Sequence, residues 1–297
     1  MDLGRTGRCG ALVALLAGFA SSCPGFDEGA SDITAVSSRV SADYQRGRQA
    51  DGTFVPETYA FGKGGAWEGS LRDYSIDKLS FLDVAHVIAL PLAGQHYFPS
   101  RDPATAKLLI MVYWGTTHAP EHANDSNGMV ELQNAFNLTQ VANGKRVGSP
   151  WVEDEISEGL AVVQAENKAR DQADLINIRM LGYDSWLEKF AGDLRGTAIE
   201  QGRRDLYDEI EQNRYFVVLM AYDFQVLSRE RLHRLLWETR FSIRQQHHEF
   251  EKELPALALY ASRYFGQDSH GLVHDKIPQG QVDVGDVKSL GEVLPPK

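Results

Sequence analysis

Cysteine is nearly missing: the 297 residues hold two, Cys9 and Cys23. A chain that loses Cys9 to processing keeps one thiol, which excludes an internal disulfide, a thiol-pair redox centre and a cysteine-built zinc site. Positive charge is also short, with 30 Lys and Arg against 41 Asp and Glu and a formal net charge of −11. That balance argues against nucleic acid as a partner, because phosphate binding needs a basic surface. Long apolar runs are missing too. The longest, Gly10–Ala20, falls well below the roughly 20 residues a membrane-spanning helix needs, and later runs are bounded by charge. No Gly-x-Ser-x-Gly, Walker or zinc-protease motif is present, so no catalytic signature stands out.

The N-terminus, in contrast, is informative. Arg5 and Arg8 precede the apolar run, and Ala20, Ser21 and Ser22 are small residues of the kind a signal peptidase accepts. The expectation is an export signal over residues 1–22. Cleavage after Ala20 or Ser22 makes a soluble protein, whereas cleavage before Cys23 exposes a thiol that can take a diacylglycerol. Removing Asp2, Arg5 and Arg8 takes away a net charge of +1, so the processed chain carries −12. A chain this acidic has little direct attraction for anionic headgroups, so a membrane location needs a covalent anchor.

"ASSC" at 20–23 resembles the lipidation box of small bacterial envelope lipoproteins, with Ala20 in place of the usual leucine. The order of signal, short tether and α/β domain is similar to theirs as well. The resemblance implies an exported protein on the periplasmic side of a bacterial membrane, lipid-anchored at Cys23, or soluble in the periplasm if Cys23 is not acylated. It implies no catalytic residues.

Residues 23–42, rich in Ser, Ala, Asp and Gly, read as a flexible tether. A single α/β (or α+β) domain is expected over 43–280, with a mixed, partly antiparallel sheet covered by helices. "GKGG" at 62–65 reads as a loop. Leu79, Leu82, Ala85 or His86, and Ala89 share a helical face, with His86 read as a core histidine and Pro91 and Gly94 ending the helix. Leu108–Trp114 is an unbroken apolar run, and Tyr215–Phe224 is a second of its kind but for Asp223; both predict strands buried on both faces. "LLWETRFSIR" at 235–244 alternates, predicting a strand with one wet face toward a sheet edge, antiparallel to the one before it. "ELPALALYASRYFG" predicts a helix with Leu254, Leu257, Ala261, Tyr264 and Phe265 buried.

A charged helical insertion is expected at 149–212, starting at Ser149-Pro150 with a stripe of Val152, Ile156, Leu160 and Val163, and with Ser185 and Glu188 spaced as a capping box. Residues 281–297 read as a C-terminal tail.

Histidine alone invites a chemical hypothesis. His118 and His122 follow the first buried strand; His270 and His274 follow the last helix, flanked by Asp268 and Asp275. Two His-x3-His pairs with carboxylates have the composition of a zinc site with an open position. Pro120 and Gly271 mark both as loops, where an i, i+4 pair does not converge as it does on a helix. His247-His248-Glu249 reads as a cap, and Asp223 as a strand-terminal ion-pair partner of Arg240. The aromatics Tyr113, Trp114, Trp151, Trp186, Tyr215, Tyr222 and Trp237 fit core packing, with a glycan groove as the weaker reading.

Two functional expectations result. One is a non-enzymatic envelope module without a cofactor that binds another envelope protein or other envelope component. The other is a zinc-dependent periplasmic hydrolase built on His118, His122, His270 and His274.

Overall fold

The fold is an α/β one, seen in a computed structural model that describes residues 33–67, 69, 73–119, 130, 150–189 and 198–276. The compact unit begins at Asp32. Strands β1 (Ile33–Val40), β2 (Glu57–Trp67), β3 (Tyr97–Pro99), β4 (Leu108–Thr116), β5 (Arg214–Asp223), β6 (Leu235–Arg244) and β7 (Leu272–Lys276) form one sheet in the order β3-β2-β4-β5-β6-β1-β7. β2 is parallel to β3 and β4, and every other pairing is antiparallel. The parallel pair needs a crossover, which α1 (Tyr74–Asp77) and α2 (Phe81–Gly94) supply.

Strand alternation splits the side chains between two faces. Ile110, Val112 and Trp114 of β4, Val217 and Leu219 of β5, and Trp237 and Phe241 of β6 form the first core with α2 and α7 (Phe250–Ala261). A capping box starts α2: Ser80 accepts from the Asp83 backbone and Asp83 accepts from the Ser80 backbone. From that start the face that reaches the sheet carries Val84, Ala85, Ile88 and Leu92. Leu82 and His86 point to solvent, so the expected stripe was out of phase and His86 is not a core residue. The helix ends at Gly94 as expected, but it runs through Pro91. Leu254, Leu257 and Ala261 of α7 are buried as expected, as is Phe265 just past the 3-10 turn Ser262–Tyr264 that follows it, and Tyr264 is half-buried.

Three further expectations change. The segment 33–40 is no tether: it is β1, inserted between β6 and β7, with Ala35 and Val36 fully buried. Its Ser and Thr content hides a strand because a small hydroxyl can be satisfied inside: Ser38 Oγ lies 2.8 Å from Thr239 Oγ1 and donates to the Tyr264 carbonyl. "GKGG" is not a loop but the middle of β2. And β6 sits inside the sheet, since β1 and β7 lie beyond it.

The insertion holds α3 (Pro150–Leu181), α4 (Asp184–Lys189) and α5 (Ala198–Ile210). The 32 residues of α3 make a rod of about 48 Å. Its last turns bury Ala173, Asn177, Ile178 and Leu181, while Leu160 is exposed. α4 begins at Asp184, one residue before the expected Ser185 cap. Ser149, Trp151's side chain and the expected tail 281–297 lie outside the described residues.

Candidate functional site

Among the described residues, the second face of the sheet is only partly roofed. Under α3, α4 and α5, Phe216, Val218, Ala35 and Leu272 pack against Ile178, Leu181, Tyr183, Leu206 and Ile210. Toward β2 the cover thins. Leu109 lies beside Tyr222, and Met111 beside Met220; these four and Tyr113 are half-buried. β2 contributes no side chains that rise above them here. A Cβ on Gly62 would fall 2.2 Å from Met111 Sδ, and one on Gly64 would fall 2.6 Å from the Tyr113 ring. The glycines therefore let the methionine and tyrosine lie flat across the neighbouring strand. Glu238 and Arg240 close the patch on the β6 side, paired at 2.6 Å, with Arg240 also donating to the Arg179 carbonyl. The result is a flat apolar area of thioether, aliphatic and phenol groups with a charged margin. Such a surface suits contact with another apolar surface and carries no reactive group of its own.

Beneath the roofed half lies a charged cluster. Arg214, 2 % exposed, pairs with Glu209 at 2.8 Å and donates from Nε to Ser242 Oγ at 3.1 Å. The other oxygen of Glu209 lies 2.9 Å from His274 Nε2. Burial alone would raise the Glu209 carboxyl, but Arg214 and His274 together hold it below the usual range. α5, β5 and β7 are thereby joined through one carboxylate, and Arg214 ties in β6 through Ser242.

At the end of β4, Asn177 of α3 grips the chain. Its amide donates to the carbonyls of His118 at 2.7 Å and Ile210 at 3.0 Å, and its oxygen accepts from the His118 backbone at 3.2 Å. One turn earlier, Asp174 is 7 % exposed and one of its oxygens has no hydrogen-bond partner. Burial, and then the charge of Glu211, push its carboxyl up to about 6 against the opposing pull of Arg170.

The histidines of the zinc hypothesis are scattered. β4, which ends just before His118, and β7, which carries His274, have β5, β6 and β1 between them, about 19 Å at normal strand spacing. His274 is on a strand rather than a loop and faces Glu209. His270 is almost fully exposed in a turn with φ +57°, 3.5 Å from Asp268. His122 and Cys23 lie outside the described residues. Among the described residues no three His, Cys, Asp or Glu side chains converge on a common point. Asp223 caps a short helix, α6 (Phe224–Glu230), and its ion-pair partner is Arg234 at 3.8 Å, not Arg240. His248 lends its carbonyl to the Tyr215 hydroxyl, which also donates to Asp73 at 2.6 Å. Trp114, Tyr215 and Trp237 are core residues, as their periodicity suggested.

No protein-family model matches the chain, and no curated protein matches it. Among solved structures it is similar to a PDZ domain protein from Parabacteroides distasonis, at 10% identity and a TM-score of 0.36. That match covers 82% of this chain and 39% of the other, and is too distant to assign a fold or a function.

Proposed function

We propose that this chain is a non-enzymatic binding or assembly module of a bacterial cell envelope. It is exported, held at the periplasmic side of a membrane through Cys23, and docks an envelope protein on the open part of its second sheet face. The observation that carries the reading is the half-buried row Leu109, Met111, Tyr113, Met220 and Tyr222 beside the side-chain-free glycines of β2. A sheet face in an α/β fold is ordinarily covered by helices, so an apolar stretch left half-open is a contact surface in waiting. No helix among the described residues is long and apolar enough to cross a membrane, and the covalent anchor supplies the membrane location.

The test is co-purification from detergent-solubilised envelopes, comparing the wild-type chain with Leu109→Ser/Tyr222→Ser. Supporting the reading takes one defined envelope protein at stoichiometric yield, lost in the double variant while its melting temperature stays within a few degrees. A wild-type chain that purifies alone, or a partner retained by the variant, overturns it. Stoichiometric zinc in the purified protein, lost in His118→Ala or His270→Ala, would favour the hydrolase instead.

A further inference from the structure

The registers place one end of every long strand on a common side. Ile33 pairs with Lys276, Ala35 with Ser242, Arg214 with Arg244, Thr116 with Tyr215 and Trp67 with Gly115. The start of β1 and the finish of β2 therefore lie at the same end of the sheet. α2 returns antiparallel to β2: the Glu57 backbone at the start of β2 donates to the His96 carbonyl just past the end of α2. The first turn of α2 is thus at the β1-start end as well. Three large apolar side chains are exposed there, Trp67 at 47%, Tyr74 at 67% and Leu82 at 72%.

We infer that this end of the sheet rests on the membrane, with Trp67, Tyr74 and Leu82 in the headgroup region of a phospholipid bilayer. The inference builds on the Cys23 anchor proposed above. From Cys23 to Ile33 the chain has ten links, at most about 35 Å when fully extended. A leash of that length keeps the domain at the surface but lets more than one face reach it. The exposed aromatics select the face, because Trp and Tyr favour the membrane–water interface, where an apolar body and a polar tip are both accommodated. Charge does not select it: Lys78 and Lys252 are outnumbered by Asp73, Asp77, Asp83, Glu249 and Glu251, so the contact rests on the apolar side chains. With this end down, the apolar patch on the second face stands on the domain's flank, open to a membrane-bound neighbour.

The experiment uses the full chain expressed in a bacterial host, reconstituted into vesicles of phosphatidylethanolamine and phosphatidylglycerol at three to one, a fraction of the lipid carrying brominated acyl chains. Bromine quenches tryptophan on contact. Expected is quenching in the wild type that falls at least twofold in Trp67→Phe, persists in Trp186→Phe, and is reduced in Tyr74→Ser/Leu82→Ser. Equal quenching in wild type and Trp67→Phe, or none in an acylated protein, overturns the membrane-facing end while leaving the anchor intact. The mass of the N-terminal peptide is read on the same sample. A Cys23 without acyl chains overturns the anchor, and this inference falls with it.

Discussion

Asp174 and Glu209 lie on helices α3 and α5 of the same roof, and their carboxyls are shifted in opposite directions. Glu209 has Arg214 and His274 within hydrogen-bond reach and is held down; it stabilises the fold above the ordinary carboxylate range and loses that contribution as pH falls through its depressed value. Asp174 has Glu211 nearby and an oxygen without a partner, and stands at about 6 against an ordinary value of 3.8. A raised carboxyl means that the folded state holds the proton more tightly than the unfolded state between those two values. Stability therefore declines as pH rises from about 4 to about 6 and stays lower above that. Asp174→Asn removes the ionisation. We expect it to raise stability at pH 7.5 by on the order of 1 kcal/mol, part of the full shift being screened by solvent, and to leave it unchanged at pH 4. Urea midpoints at the two pH values check this; a variant less stable at pH 7.5 would show that the carboxylate has a partner worth keeping.

Glycine in β2 shows why one element was hidden while others were plain. β4, β5 and β6 were legible because each presents a continuous or alternating apolar run. The middle of β2 reads as a loop because the glycines of "GKGG" have low strand propensity, yet β2 pairs with eight residues of β4 around a bulge between Lys63 and Gly65. Its glycines answer to the side chains of the next strand, which local sequence does not show. The site was legible to a similar extent. His274 stood out as a histidine, but its partner Glu209 is 65 residues away, and the roles of Asn177 and Arg214 follow from packing alone. The glycine argument separates two substitutions. A Cβ on Gly115 would lie 2.0 Å from the Trp67 carbonyl oxygen, a backbone atom that cannot move without breaking the parallel pairing. On Gly62 the nearest atom is the flexible Met111 thioether. Gly115→Ala is expected to cost about 3 kcal/mol or more and Gly62→Ala about 1 kcal/mol, read from chemical denaturation. Equal costs would mean that β2 shifts as a unit to absorb either methyl.

At the scale of the molecule, β1 decides where the sheet domain begins. It is laid between β6 and β7 with six register pairs on one side and five on the other, and β7 has no other strand partner among the described residues. Val36 enters the first core and Ala35 the second, so one strand serves both faces. A chain starting at Asp32 keeps all of this; a chain starting at Ala42 loses the strand, detaches β7 and takes His274 away from Glu209. The loss involves two cores, two ladders and the His274 contact to Glu209, comparable with the roughly 5–15 kcal/mol that hold a whole domain together. The 32–297 protein should melt cooperatively within a few degrees of the longer chain, and the 42–297 protein should show no cooperative transition by calorimetry. If both melted alike, β1 would be dispensable to the fold despite lying between two strands.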